Sequence, residues 1–117
     1  MRIDLARLHP GPPVLAEVAT PYGPAVARWR GDPADPPGPY AVEWTIDEDH
    51  AVVRPAAGPG PQIRTDGELL VLRGEFDGDG VLRIGTAVVL LDLPGRPPGP
   101  LEIAVPREHA ELYPYTL

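Results

Sequence analysis

The chain has 117 residues, of which 18 are Pro, 13 are Gly and 43% are hydrophobic, with a formal net charge of −7. That length fits one domain around one core. The sequence holds no Cys, Lys, Ser or Asn, and all 10 basic residues are Arg; this excludes a serine or cysteine nucleophile, a Schiff-base or P-loop lysine, thiolate metal sites and disulfides.

The Ala, Gly, Pro and Arg usage matches a GC-rich bacterial coding bias. The acidic balance argues against a binder of nucleic acid, whose affinity comes from neutralising phosphates with Lys and Arg, and favours a protein partner with a basic or neutral surface. The opening MRIDLARLHPGPP has no apolar signal core, and no run approaches about 18 apolar residues. The expectation is therefore a cytoplasmic protein that does not enter a membrane and carries no cofactor.

Apolar residues fall in short alternating blocks between Pro/Gly clusters, the pattern of short strands joined by rigid turns. Met1 to Leu8 reads as an edge strand with Ile3 and Leu5 on one face. Val14 to Ala19 and Ala25 to Arg30 form a hairpin across the turn Pro21-Tyr22-Gly23-Pro24. The connection GDPADPPGP leads to Tyr40–Ile46, where Tyr40, Val42, Trp44 and Ile46 alternate with Ala41, Glu43 and Thr45. Such alternation predicts a strand with one buried and one wet face.

Ala51 to Arg54 is a short strand, and residues 55–62, PAAGPGPQ, are a loop that continues neither helix nor sheet. Asp66-Gly67 is the favoured two-residue hairpin signal and pairs Ile63 with Leu70. The next turn, EFDGDGVLRIG, admits two readings. A three-residue turn at Gly78-Asp79-Gly80 sets Phe76 opposite Leu82 and Glu75 opposite Arg83, keeping one apolar face continuous. A calcium loop would use Asp77 and Asp79, but the position that needs a bidentate Glu holds Thr86. The hairpin accounts for more residues.

TAVVLLDL, apolar on both faces, predicts a central strand. After PGRPPGP, LEIAV alternates, Pro106 interrupts, and REHAELYPYTL resumes a strand. The stretches PPGPYAVEWTI and PPGPLEIAV resemble each other, which suggests an internal repeat with its boundary in loop 55–62. The whole reads as a single all-β domain over residues 1–117, a small, partly closed antiparallel barrel of OB-like or Greek-key type with seven to nine strands, and a β-sandwich as the alternative.

No strong catalytic constellation is present. Acid–base chemistry would fall to His50, His109 and Tyr113, the last two near Glu108, Glu111 and Tyr115; a solvated strand edge is the plainer reading. His50 and Asp47 offer two metal ligands that need distant help. The arginines flanking Trp29 would present an Arg face, with too few aromatics to stack bases. Asp32, Asp35, Asp47, Glu48 and Asp49 cluster on two loops and make an anionic rim for a basic partner. The expected function is a non-catalytic accessory or inhibitor-like module that docks by strand edges and loop carboxylates. A small barrel enzyme or carrier for an apolar molecule is the alternative.

Overall fold

The computed structural model describes residues 1–115; Thr116 and Leu117, the end of the expected last strand, lie outside the described residues. The strands are β1 (Arg2–His9), β2 (Leu15–Thr20), β3 (Gly23–Trp29), β4 (Gly38–Ile46), β5 (Val52–Pro55), β6 (Gln62–Asp66), β7 (Leu69–Phe76), β8 (Val81–Ile84), β9 (Ala87–Leu90), β10 (Gly99–Pro106) and β11 (Ala110–Tyr115). Two 3-10 turns, Glu48–His50 and Arg107–His109, follow β4 and β10. The described residues hold eleven strands, against the seven to nine expected.

Two sheets form. The first is a closed barrel in the order β1-β2-β3-β11-β4, and the second runs β5-β10-β7-β8-β9, with β6 also paired to β7. In the barrel, three hairpin-linked strands are followed by β4 lying beside β1, which is a Greek key. The second sheet repeats that path, since β10 lies beside β7 at the head of the hairpin-linked β7, β8 and β9. Both fourth strands begin at the glycine of a PPGP motif, Gly38 with φ 143° and Gly99 with φ 146°.

Each Greek key then gives its last strand to the other sheet. After β4 the chain makes a 3-10 turn and enters β5, which pairs with β10; after β10 it makes the other turn and enters β11, which pairs with β4. The exchange is unequal. β11 also pairs in parallel with β3, through Glu111 to Arg28 and Leu112 to Trp29, and closes the barrel. Among the described residues β5 pairs with β10 alone, and the second sheet does not close at β9.

The alternation seen in the sequence holds in β4, where Val42, Trp44 and Ile46 are buried while Glu43 and Thr45 are exposed. Inner residues of both sheets, from Ile3 and Leu5 to Ile103 and Leu112, join one continuous cluster. Each such aliphatic side chain contributes about 1.5–3 kcal/mol by leaving water, so register is strongly selected. Phe76 faces Leu82 and Glu75 faces Arg83 as expected.

The preceding hairpin differs from expectation by two residues. Its turn is Gly67-Glu68, so Ile63 pairs with Leu72 and Asp66 with Leu69. Gly67, with φ 60°, occupies the first turn position, which in a two-residue turn of the II′ kind calls for glycine there. A slip of two preserves every side chain's face, and Ile63, Leu70 and Leu72 are all buried.

Gly74 marks the place where β7 changes neighbour on one edge, from β6 before it to β8 after it. A Cβ there would lie 2.1 Å from the carbonyl oxygen of Arg83, a backbone atom that cannot turn aside. Gly74→Ala is expected to cost about 2 kcal/mol or more through forced separation of β7 and β8. Gly95→Ala, with φ 76° and open space around the added carbon, costs about 1 kcal/mol from conformation alone. Urea unfolding of the two variants checks the order; equal losses would remove the close-approach explanation.

Candidate functional site

The two 3-10 turns meet where the last strands cross between sheets. Asp47 and His50 come from the chain leaving the barrel, and His109 from the chain returning to it. The Asp47 backbone N–H donates to the His109 carbonyl at 2.9 Å, which holds exit and return together. Each histidine is the third residue of its turn. Their rings lie stacked, with centroids 3.7 Å apart and planes within 5°.

One carboxylate oxygen, Asp47 Oδ2, lies 2.9 Å from His50 Nδ1 and 3.3 Å from His109 Nδ1. The other, Oδ1, accepts the Asp49 N–H at 3.2 Å. Burial pushes the Asp47 carboxyl up, but the hydrogen bond and charge of His50, the Asp49 N–H and the charge of His109 outweigh it, leaving its pKa below the ordinary value. All three side chains are a third to a half exposed, at 39%, 50% and 33%. The cluster can share protons through one carboxylate or present oxygen and nitrogen donors to a cation.

The other expected positions lie elsewhere. Tyr113 is bound to Arg30, whose Nε donates to its hydroxyl at 3.3 Å and whose guanidinium lies 5.7 Å over its ring. Arg30 also pairs with Glu111 at 2.7 Å, so Tyr113 is not part of the histidine cluster. Asp32 and Asp35 sit before β4, and Asp47, Glu48 and Asp49 after it; a strand of 9 residues separates the two groups by roughly 30 Å. The acidic loops therefore flank opposite ends of β4. Asp35 Oδ2 accepts from Trp29 Nε1 at 2.9 Å and from the Asp32 N–H at 3.0 Å, while Glu48 accepts from the Asp92 N–H.

Asp77 acts within its turn: Oδ1 accepts the N–H groups of Asp79 at 2.7 Å and Val81 at 3.1 Å. Those bonds hold its pKa below the ordinary carboxylate value. Gly78 and Gly80 both have positive φ, 87° and 101°, where the sequence called for one such residue.

β9 corrects the reading of TAVVLLDL as a central strand. Among the described residues it pairs with β8 alone. Ala87 and Val89 are buried, whereas Val88 and Leu90 are 45% and 73% exposed. The other side of β9 lies close to β4 without pairing to it among the described residues. Facing β9 is the part of β4 past Val42, which among the described residues has β11 on one side and no strand on the other; Val42 itself exchanges backbone hydrogen bonds with Met1 at 2.8 and 3.0 Å. Between them lies a groove of about 460 Å³, lined by Val42, Glu43, Trp44, Val88, Leu90 and Tyr115 among others, with no arginine. Glu48 and Asp92, joined by their hydrogen bond, close the end where both strands finish.

A second polar cluster was missed in the sequence. Registers align Arg54, Glu102, Arg73 and Gln62 in one row across β5, β10, β7 and β6. Alternation puts Glu102 on the outer face of β10, where a carboxylate is expected to be wet, yet its side chain is 1% exposed. Residues 55–61 fold over it: the Ala57 N–H donates to Oε1 at 3.1 Å, and Arg73 donates to the carbonyls of Gly60 and Pro59 at 2.9 and 3.1 Å. Arg54 and Arg64 reach the carboxylate at 3.2 and 3.4 Å, and Arg73 at 3.8 Å. Only the strand registers bring these residues together, so no local signal could reveal them.

No protein-family model matches the chain, and no curated protein or solved structure is significantly similar to it. The site readings rest on this chain's own residues.

Burial pushes the Glu102 carboxyl up, but hydrogen bonds from Arg64, the Ala57 N–H and Arg54, with the Arg64 charge, leave its pKa below the ordinary value. A lowered folded-state pKa means that the ionised group stabilises the fold above its unfolded value, about 4.3, and that this contribution is lost as pH falls through the folded value. Glu102→Gln is expected to cost about 2–3 kcal/mol at pH 7, below the full figure for a broken buried pair because the arginines keep contact with water. The gap to wild type should close in acid, below the usual carboxylate range. A gap that persists undiminished there would show that shape, not charge, holds the loop.

Proposed function

We propose that the chain is an acidic, non-catalytic docking module whose barrel is OB-like, and that it holds an extended segment of a partner protein in the groove between β4 and β9. The observation that carries this reading is the open β9 edge. A strand paired on one side offers backbone N–H and C=O groups to an incoming strand, and side-chain positions alternate to give specificity. Val88 and Leu90 supply exposed apolar surface beside those groups, and single exposed aliphatics are common on surfaces but rarely line an open edge.

The chemistry of the occupant follows from charge. Glu43 lies in the groove, Glu48 and Asp92 end it, no arginine lines it, and the amino group of Met1, also in the lining, donates to the Val42 carbonyl. An extended segment alternating aliphatic residues with Lys or Arg fits this surface, with its apolar side chains on Val88 and Leu90 and its cations toward the carboxylates. A second copy fits poorly, because two chains of net charge −7 would bring acidic edges together. The core cluster is filled by apolar side chains from both sheets, which favours surface docking over an enclosed site for an apolar metabolite.

Leu90→Arg and Val52→Arg test the reading as a pair, since Val52 is 63% exposed on β5, away from the groove. In affinity capture from the native host with a salt-wash series, wild type and Val52→Arg should retain one stoichiometric partner that moderate salt releases. Leu90→Arg should lose it by tenfold or more. A partner held equally by all three proteins sinks the groove, and a dimer in size-exclusion chromatography that Leu90→Arg abolishes makes the occupant a second copy. Turnover of a substrate by the isolated protein would end the non-catalytic reading.

A further inference from the structure

The cluster at the strand crossing has no part in the docking groove, and its composition is that of a metal site. We propose that Asp47, His50 and His109 bind one divalent transition-metal ion of the zinc class. Two imidazoles and one carboxylate are a donor set that suits zinc, with a further position left to water. Among the described residues, these three offer ligand atoms that all lie within 4.8 Å of one another.

The spacing agrees with a shared ion. Ligands about 2.1 Å from one metal lie roughly 3.0–3.4 Å from each other, and Asp47 Oδ2 lies 2.9 and 3.3 Å from the two Nδ1 atoms. Oδ1 is held by the Asp49 N–H, which leaves Oδ2 as the coordinating oxygen and orients it as an outer hydrogen bond does in metal sites. One adjustment is required. A metal ion lies in the plane of each imidazole it binds, and two parallel rings 3.7 Å apart share no plane, so the rings turn out of their stack when the ion enters. At 50% and 33% exposure both have room to do so.

Position adds a consequence. The ligands come from the two chain segments that cross between barrel and second sheet, so a bound ion links the exit and return of the chain. Such a site exists in the folded protein and not in the unfolded one, and metal binding therefore adds directly to fold stability.

The test is titration of chelator-stripped full-length protein with zinc chloride, by calorimetry and by thermal unfolding. One ion per chain is expected, with a Tm rise of roughly 10 °C at free zinc a hundredfold above Kd. His109→Ala and His50→Ala should each weaken binding about 100-fold or more, exceeding the 10–100-fold typical of losing an outer partner. Both variants lie on exposed turns, and unfolding without zinc confirms that they fold. His9→Ala, on β1 and paired with Glu17, should bind like wild type. An absence of heat and of Tm shift at about 1 mM zinc overturns the proposal, as does zinc binding unchanged in the His50→Ala/His109→Ala double variant or lost in His9→Ala.

Discussion

How the fifth strand of each Greek key pairs governs the rest of the molecule. β11 pairs with β4 on one side and with β3 on the other. β5 pairs, among the described residues, with β10 alone. Sheets twist and coil, and a closed one has no edge to protect. The barrel reaches that state and the second sheet does not, which leaves β9 close to β4 but hydrogen-bonded, among the described residues, to β8 alone. A near-symmetric chain path thus produces an asymmetric surface, and the asymmetry is where a partner can act.

The crossing of the fifth strands also explains why the histidines meet. Both 3-10 turns sit at the same step of their Greek key, after the fourth strand, and each ends in a His that an Ala follows. Crossing segments approach closely, so equivalent residues from the two turns face each other. Asp47 has no acidic counterpart, since Pro106 precedes the second turn. The pair is symmetric in origin and served by one carboxylate, which is why a single cation, not two, suits the place.

How much of this was legible depended on range. The DGDG turn and the Phe76–Leu82 register follow from alternation across a few residues and could be read directly. Asp66-Gly67 misled by two positions because glycine fits either central place of a two-residue turn, and face alternation cannot detect an even slip. TAVVLLDL was read as buried on both faces because hydropathy reports what a strand would bury and not whether a neighbour arrives to bury it. Asp47 and His50 are legible as two ligands that need distant help; His109 is distant in sequence and joins them only through the strand exchange. Glu102 was invisible for the same reason, because three strands and a Pro/Gly loop must assemble before an outward carboxylate becomes buried.

An open, aliphatic edge is an aggregation hazard in an isolated domain, and the composition of this chain bears on that hazard. β9 offers 4 residues, too short a template for extensive pairing, and Leu-Pro at positions 93 and 94 stops its extension. Glu43, Glu48 and Asp92 surround the edge with negative charge, so a second copy approaching edge to edge meets repulsion, whereas a basic segment meets attraction. The same carboxylates that discourage self-association therefore select for a partner of opposite charge. Solubility and specificity at this edge arise from one arrangement, and removing the acids would weaken both together.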